Sequence, residues 1–397
     1  MSQPLVVLIL SLLLGLQPLT TDLYLPALPA LAAHFGTAPA TAQLTLTALI
    51  LAFGISQLLW GPLSDRIGRR RVLLAGVAGY TVAAIGSAVA SSIEVLIFWR
   101  LLQGACMGAG TVCSRAIVRD LYAPVDGAKI MSKGLSGLGV AACLGPALGG
   151  LLGEAFGWRA TLVALVVAGA VTLYVVWRYF EETLHEAHPA ALHPATLART
   201  AREIAVNRRF WVFSLLSTCS LGGLMSFLVS SSFIFIGLHG MSKAAYGLVL
   251  FSVSLFYIGG TLICRHALVR FGLQRTLLLG GALSLCGGAL FAGLALAGVA
   301  GSWALIVPAW IYMMGHGCHQ PCGQSGAIAP FPKVAGAASA LTGFVMMSVA
   351  FAAGRWMGAH ADGSGLPLIQ AMVFWSLAVA FVAFICSRHT GSPATPR

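Results

Sequence analysis

Charged side chains are scarce in this sequence of 397 residues, and acids are the scarcest. Asp, Glu, Lys and Arg make up 9% of the chain, with only 11 acids, whereas hydrophobic residues make up 58%. Soluble domains carry about 25% charged residues. A soluble fold of this length could not bury so much apolar surface, because surface area does not shrink fast enough with size. The composition therefore predicts a protein that spans a membrane.

The motifs of nucleotide-driven pumps and of common hydrolases are also missing. The chain has no Gly-x-x-x-x-Gly-Lys-Ser/Thr phosphate loop, no Gly-x-Ser-x-Gly nucleophile elbow and no His-Glu-x-x-His zinc motif. The nine cysteines are spread through apolar segments, which is typical of small packing residues and not of a disulfide framework. We therefore expect no ATP-driven transport, no enzyme and no cofactor.

Twelve apolar runs are long enough to cross a membrane as helices, which takes about 20 residues. They lie near 5–30, 41–62, 72–91, 95–117, 131–153 and 159–180, and then near 210–237, 244–264, 275–298, 302–323, 335–358 and 366–387. The first run is longer than the apolar part of a signal peptide, and no basic segment precedes it. We therefore interpret it as an uncleaved helix.

A repeat relates the two sets of six runs. Residues 66–74 (Arg-Ile-Gly-Arg-Arg-Arg-Val-Leu-Leu) and 270–278 (Arg-Phe-Gly-Leu-Gln-Arg-Thr-Leu-Leu) match at five positions, and Trp99 matches Trp303 at the same offset. Repeats of this kind are typical of transporters, which bind substrate near the membrane midplane between related halves. We expect an all-α membrane protein with twelve transmembrane helices in two pseudo-symmetric six-helix bundles. The bundles would span 1–180 and 209–390, joined by a linker over 181–208.

Basic residues give the chain a formal net charge of +12, and their positions decide what this charge means. With both termini inside the cell, most of them fall in cytoplasmic segments, and only Arg159, Lys243 and Arg355 fall in outer ones. Cytoplasmic loops of membrane proteins are enriched in Lys and Arg. We therefore predict cytoplasmic termini and a cytoplasmic linker, and we attribute the charge to membrane orientation and not to nucleic acid.

One acid, Asp22, lies well within an apolar run, in the segment Thr20-Thr21-Asp22-Leu23-Tyr24-Leu25-Pro26. The other ten fall in segments that this topology assigns to loops or helix ends. A carboxylate inside the membrane is costly and is by default a functional group. Asp22 is therefore the candidate proton carrier; the alternative is an acid near the outer mouth that makes a structural hydrogen bond.

Arg100 lies several residues inside the fourth run and is the second charged candidate. An arginine at this depth needs a partner or hydration. If it approaches Asp22, it would favour the ionised form of that carboxyl, which burial disfavours, and so adjust its affinity for protons. Alternatively, its side chain extends to the outer surface from near the helix end. Tyr24 and Gln103 neighbour these two charges in the sequence and are, with Asp22, candidate substrate contacts.

The segment Gly61-Pro62-Leu63-Ser64-Asp65-Arg66-Ile67-Gly68-Arg69-Arg70-Arg71 joins the second and third runs. Gly61 would let two helices approach closely. Asp65 can accept a hydrogen bond from a helix N-terminus or pair with an arginine. Arg119 or Arg115, at the end of the fourth run, is a candidate partner for Asp65; simple anchoring of these arginines at the membrane interface is an open alternative.

Two further helices carry unusual side chains. In the fifth run, Gly145-Pro146-Ala147-Leu148-Gly149-Gly150 combines small residues that permit tight packing with a proline that bends the helix.

In the tenth run, His316-Gly317-Cys318-His319-Gln320-Pro321-Cys322 contains residue types that can bind zinc. On a helix, however, residues 318 and 322 share a face while 316 points away, so we predict no metal. His316, His319 and Gln320 are candidate substrate contacts, and a histidine there could couple protonation to transport; core packing with satisfied histidines is equally open.

These motifs together resemble a known family. The 61–71 segment resembles the signature loop of the major facilitator superfamily, in which Gly61, Asp65, Arg66, Gly68, Arg69, Arg70 and the partner Arg119 would form a gate latch of the outward-facing state. Gly145, Pro146, Gly149 and Gly150 resemble the antiporter motif of drug-exporting facilitators, although Ala141 stands where that family usually has glycine. Arg100 matches the basic residue of the fourth-helix motif, which is implicated in proton transfer. With Asp-x-Tyr-x-Pro-x-x-Pro from residue 22 to 29, the chain resembles Bcr/CflA-type drug:proton antiporters over nearly its whole length.

The resemblance implies a monomer in the bacterial inner membrane, without a cofactor, whose partners are a small-molecule substrate, protons and the lipid bilayer. It would export compounds such as bicyclomycin, chloramphenicol analogues or sulfonamides in exchange for protons. Three alternatives stay open: a permease for purine nucleosides or other small metabolites, a membrane enzyme that uses the histidines and cysteines of the tenth run, and a passive channel.

Overall fold

The computed structural model describes residues 1–122, 124–184, 194–299, 301–331 and 334–389, and within these ranges the chain is almost entirely helical, without a β-strand. Part of the predicted linker, 185–193, and the last residue of the predicted second bundle, 390, lie outside the described residues. The α-helices are, in chain order, α1 (Gln3–Asp22), α2 (Leu28–Phe35), α3 (Pro39–Ile67), α4 (Arg69–Ala88), α5 (Ile93–Leu121), α6 (Pro124–Ala155), α7 (Trp158–Tyr179), α8 (Pro194–Ala205), α9 (Arg208–Ser232), α10 (Lys243–Leu296), α11 (Trp303–Ile328), α12 (Ala335–Ala359) and α13 (Leu366–His389).

Twelve helical segments of the described chain account for the twelve predicted spans. Ten stretches are long and apolar enough to cross a membrane. One of them, α10, is 54 residues long and breaks at Gly272, where the backbone leaves the helical conformation, so it supplies two spans. The twelfth predicted span, near 302–323, corresponds to α11, which is 26 residues long and is not among those ten stretches. The protein is therefore an all-α membrane protein of the predicted class.

The first span is interrupted at Asp22 because prolines follow it. In a continuing helix the N–H of residue 26 would bond to the carbonyl of Asp22, but Pro26 has no N–H. The chain instead makes a 3₁₀ turn over Leu25–Ala27, and Pro29 lies in the first turn of α2, where an N–H has no helical partner in any case. The interruption leaves Asp22 at a helix end within an otherwise apolar span, Gln3–Phe35.

The two glycines of the internal repeat have similar backbone conformations. Gly68, between α3 and α4, has φ 101° and ψ 153°, and Gly272, within α10, has φ 75° and ψ 175°. Residues with a Cβ avoid positive φ, whereas glycine adopts it readily. The repeat therefore encodes the same kind of break between the second and third spans of each set.

Contacts divide the chain into two compact units, Met1–Arg202 with Ser242–Phe251, and Glu203–Met241 with Ser252–Arg397. In the first unit α1 packs on α6, α3 on α5, and α4 on both α5 and α7. In the second unit α9 packs on α11, α12 and α13. Each unit has its own apolar core. The domain boundaries expected from the sequence stay a prediction.

Candidate functional site

Asp22 ends α1 in the first unit, and its side chain is partly exposed. Its Oδ1 accepts a hydrogen bond from the Thr21 hydroxyl at 2.7 Å. Among the described residues, no cationic side chain forms an ion pair with this carboxylate. Within the described residues, the hydrogen-bond partner of Asp22 is therefore a neutral hydroxyl and not a cation.

Arg100, on α5, is completely buried and lies in a site of neutral acceptors. Its guanidinium donates to Gln103 Oε1 at 2.8 Å, to the Thr20 carbonyl at 3.0 Å and to the Thr45 carbonyl at 3.4 Å. The end of α1 leaves the Thr20 carbonyl available for this bond, because the last carbonyls of a helix have no intrahelical donor. In this conformation the Arg100 side chain is buried and none of the ion pairs of the described residues joins it to Asp22. Its part in proton coupling stays a prediction.

Tyr24 and Gln103, two of the predicted substrate contacts, belong to the same buried network, and both side chains are 0% exposed. The Tyr24 ring centre lies 4.4 Å from the guanidinium carbon of Arg100, and the Tyr24 hydroxyl shares a hydrogen bond of 2.9 Å with that of Thr45. A cation over an aromatic face is attracted by the ring quadrupole. In this conformation the two side chains hold Arg100 and are closed to a substrate, so their contact with substrate stays a prediction.

Glycines of α6 face the end of α1. A methyl group added at Gly145 would meet the Asp22 Cβ at 3.7 Å, which is an ordinary contact. One added at Gly149 would overlap the Leu23 carbonyl, at less than 3.0 Å. Glycine at position 149 therefore allows α1 to rest on α6 beside Asp22.

Two other residues of the predicted antiporter motif, Pro146 and Gly150, lie against the start of α10, which belongs to the same unit. A methyl group added at Gly150 would overlap the backbone of Lys243, and one added at Gly247 would overlap the Pro146 carbonyl. The Lys243 Nζ donates to the Gly153 carbonyl at 2.9 Å. This segment of α6 thus packs tightly on two neighbours through small residues.

An ion-pair network, which we call the loop network, occupies the junction of α3 and α4. Arg69, whose side chain is 1% exposed, contacts Asp65 at 2.6 Å, Asp120 of α5 at 3.0 Å and the Ser64 hydroxyl at 2.6 Å. Arg119 lies 3.5 Å from Asp65 and 3.6 Å from Asp120. One buried guanidinium therefore joins carboxylates from two helices. The sequence analysis named Arg119 or Arg115 as a candidate partner of Asp65, with interfacial anchoring as the alternative, and did not identify Asp120 as a partner.

The other residues of the 61–71 segment surround this network. Gly61 packs on α5 at an ordinary distance, and Arg66 is exposed. Arg70 donates to the carbonyls of Phe180 at 2.8 Å and of Trp177 at 2.9 Å, both at the end of α7. Arg70 therefore ties the segment to α7 and not to Asp65.

His316, His319 and Gln320 of α11 are buried in the second unit. The Ser220 hydroxyl lies 2.8 Å from His316 Nδ1 and 3.5 Å from His319 Nδ1, and Gln320 donates to the Ser217 carbonyl at 3.0 Å. The described residues contain no group of three or more His, Cys, Asp or Glu side chains that could hold a metal ion. The placement corresponds to core packing, and contact of these residues with substrate stays a prediction.

Sequence comparison identifies relatives over most of the chain. The sequence matches the family model of the Major Facilitator Superfamily over residues 10–355. It is 32% identical over 343 residues to the chloramphenicol resistance protein of Pseudomonas aeruginosa, covering 84% of this chain and 79% of that protein. It is 30% identical over 341 residues to multidrug resistance protein D of Escherichia coli, covering 85% and 84%. A bicyclomycin resistance protein homolog of Haemophilus influenzae is 24% identical over 391 residues, 97% of each chain.

Solved structures share the fold at low sequence identity. The xylose transporter XylE from Escherichia coli superposes with a TM-score of 0.74 at 13% identity, covering 100% of this chain and 99% of that one. A bacterial homologue of the human lysosomal transporter Spinster superposes with a TM-score of 0.72 at 15% identity, covering 99% of both chains. These likenesses establish the fold of the chain.

Proposed function

The chain belongs to the Major Facilitator Superfamily and is a multi-pass membrane transporter, not an enzyme; from that premise we propose that it exports small apolar drugs in exchange for protons. Two relatives that are at least 30% identical carry the names chloramphenicol resistance protein and multidrug resistance protein D, and a third is named for bicyclomycin. The proposed cargo is therefore a class of small apolar drugs and not a single compound. The class includes bicyclomycin, chloramphenicol analogues and sulfonamides.

The environment of Asp22 is the observation that carries the proposal. The carboxylate lies within an apolar span and is partly exposed, and a hydroxyl is its hydrogen-bond partner. In the part of the chain that the structure describes, no cationic side chain pairs with it. Protonation would therefore leave the site neutral, and loss of the proton would leave it with one negative charge. Ionisable groups within a membrane are the usual elements of proton relays in transporters.

Arg100 has a different role in the proposal. Arginine stays protonated in proteins, so it does not carry the transported proton. It donates to the carbonyl of Thr20, two residues before Asp22, and so holds the end of α1. We therefore assign Arg100 as a positioning residue, which holds the segment that carries Asp22.

In the proposed cycle, Asp22 takes up a proton from the outside as the drug leaves. It releases that proton to the cytoplasm as the next drug binds, so the proton gradient drives export. The proposal also includes a monomer in a bacterial inner membrane with cytoplasmic termini. The loop network would then lie on the cytoplasmic side and stabilise the outward-facing state.

Everted membrane vesicles test the role of Asp22. Adding drug to acidified vesicles should release protons from wild-type vesicles and not from vesicles with Asp22→Asn. Glu94→Gln is the matched control, because Glu94 is an exposed acid at the start of α5. Drug-induced proton release that persists in Asp22→Asn would overturn the assignment.

A growth panel of exporter-deficient cells tests the cargo. Expression of the chain should protect cells against several apolar antibiotics, and an uncoupler should abolish this protection. The alternative, a permease for purine nucleosides, predicts altered sensitivity to purine analogues without protection against antibiotics. That outcome would replace drug export as the function.

A further inference from the structure

A reciprocal clamp joins the start of α4 to the end of α7 in the first unit. The Glu182 carboxylate, just after α7, accepts hydrogen bonds from the backbone N–H of Arg69 at 2.8 Å and of Arg70 at 3.1 Å, the first two residues of α4. In return, the Arg70 side chain donates to the carbonyls of Phe180 and Trp177. Each side chain satisfies backbone groups that a helix end leaves without an intrahelical partner.

The charges of the clamp suit the helix ends that they meet. A carboxylate stabilises a helix N-terminus, and a guanidinium stabilises a C-terminus, because of the helix macrodipole. The Glu182 carboxylate also accepts from the N–H groups of Thr183 and Leu184, each at 3.0 Å. Desolvation of the carboxylate acts to raise the pKa of Glu182, but these four backbone hydrogen bonds outweigh it and lower the pKa below its ordinary value of 4.5. The carboxylate is therefore ionised at neutral pH.

Gly68 provides the space for this carboxylate. Its φ of 101° lies in the region that favours glycine, and a methyl group added there would overlap the Glu182 side chain. Any other residue at position 68 would both strain the backbone and displace Glu182. The glycine of the loop thus serves the clamp as well as the turn.

We propose that Glu182 is a positioning residue of the gate, which holds the start of α4 so that Arg69 reaches Asp65 and Asp120 together. The backbone of Arg69 is bound by Glu182, while its guanidinium makes the ion pairs of 2.6 Å and 3.0 Å. Glu182 therefore acts through Arg69 and does not touch the substrate. The inference rests on the proposed role of the loop network as a gate.

Hydrogen exchange tests the clamp without any substrate. In the full-length protein in lipid nanodiscs, Glu182→Ala should speed exchange of the Arg69 and Arg70 amides by about tenfold, because a lost cap exposes them. Glu182→Gln should fall in between, since its amide oxygen can still accept from Arg69. The matched control is Glu181→Ala. The Glu181 side chain is 79% exposed and pairs with the N-terminal amine instead of with α4. Equal exchange in the two alanine variants would overturn the clamp.

Transport tests whether the clamp acts through Arg69. Glu182→Ala should lower the maximal rate of drug transport by about tenfold, in line with a lost charged cap. The half-saturating drug concentration and the pH profile should not change, because neither the cargo nor Asp22 is touched. Asp65→Asn should also slow transport, and the double variant should be no slower than Asp65→Asn alone.

The hydrogen-exchange test and the transport test can each give a negative result without the other. Losses that multiply in the double variant would refute action through Arg69, even if hydrogen exchange bears out the clamp. If the wild-type protein exchanges no drug for protons, the proposed function fails. The amide exchange of the Glu182 and Glu181 variants would then still decide whether the clamp exists.

Discussion

Alanine at Gly149 should damage transport far more than alanine at Gly145, although both glycines lie on α6 about one turn apart. At Gly145 the new methyl group would meet the Leu23 nitrogen at 3.6 Å and the Asp22 Cβ at 3.7 Å, which are ordinary contacts. At Gly149 it would lie less than 3.0 Å from three backbone atoms of Leu23. Backbone atoms cannot rotate away as a flexible side chain can, so the end of α1 would have to move.

The size of the effect follows from this overlap. The Leu23 carbonyl would have to withdraw by about 1 Å, and overpacking of a tight site costs about 1–3 kcal/mol. Alanine is a better helix former than glycine by up to about 1 kcal/mol. Both variants share that gain, so it cancels between them. The remaining difference of about 1–3 kcal/mol corresponds to roughly 5- to 150-fold in an equilibrium between conformations.

Drug-induced proton release from everted vesicles measures the consequence, after normalisation to the amount of protein in the membrane. We expect the Gly145→Ala protein to remain near wild type and the Gly149→Ala protein to lose about tenfold or more in rate. Thermal unfolding in detergent should show a lower midpoint for Gly149→Ala alone. Equal rates and equal midpoints in the two variants would refute the close approach of α1 and α6 beside Asp22.

Three further predictions concern charged residues. Arg100→Met should destabilise the folded protein by about 1–3 kcal/mol, because it leaves buried acceptors unpaired; thermal unfolding in detergent measures this, with the exposed Arg178→Met as control. Asp120→Asn should slow drug transport, whereas Asp126→Asn, an acid that is 65% exposed, should not. The depressed pKa of Glu182 means that its stabilising contribution is fully present above the ordinary value of 4.5 and is lost as the pH falls through the lower folded-state pKa. Protection of the amide at the start of α4, measured against Glu182→Gln, should therefore be constant between about pH 5 and 8 and decrease only in stronger acid.

The membrane fold was predictable because it depends on local properties of the chain. In lipid, backbone N–H and C=O groups have no water to bond, so an apolar run of about 20 residues must form a helix. The runs near 41–62 and 159–180 accordingly appear as α3 (Pro39–Ile67) and α7 (Trp158–Tyr179). The sequence also singled out Asp22 as the acid within a span, which a count of acids and apolar runs is enough to identify.

The partners of the charged side chains were not predictable in the same way. The sequence analysis considered an approach of Arg100 to Asp22 because both charges lie within apolar runs, whereas in the structure Arg100 donates to neutral acceptors. Asp120 is 51 residues from Arg69, and Glu182 is 113 residues from it. Nothing in the local sequence separates Glu182, which caps α4, from its neighbour Glu181, which is exposed as well.

The physical reason is the range over which each property acts. Whether a segment crosses the membrane, and where proline or glycine interrupts it, depends on residues within a few positions of one another. Which charges meet depends on the rotation and depth of whole helices that pack against each other, to which residues throughout the chain contribute. The sequence alone therefore decided the spans and their breaks, whereas tertiary packing decided the contacts of Arg69, Arg100 and Glu182.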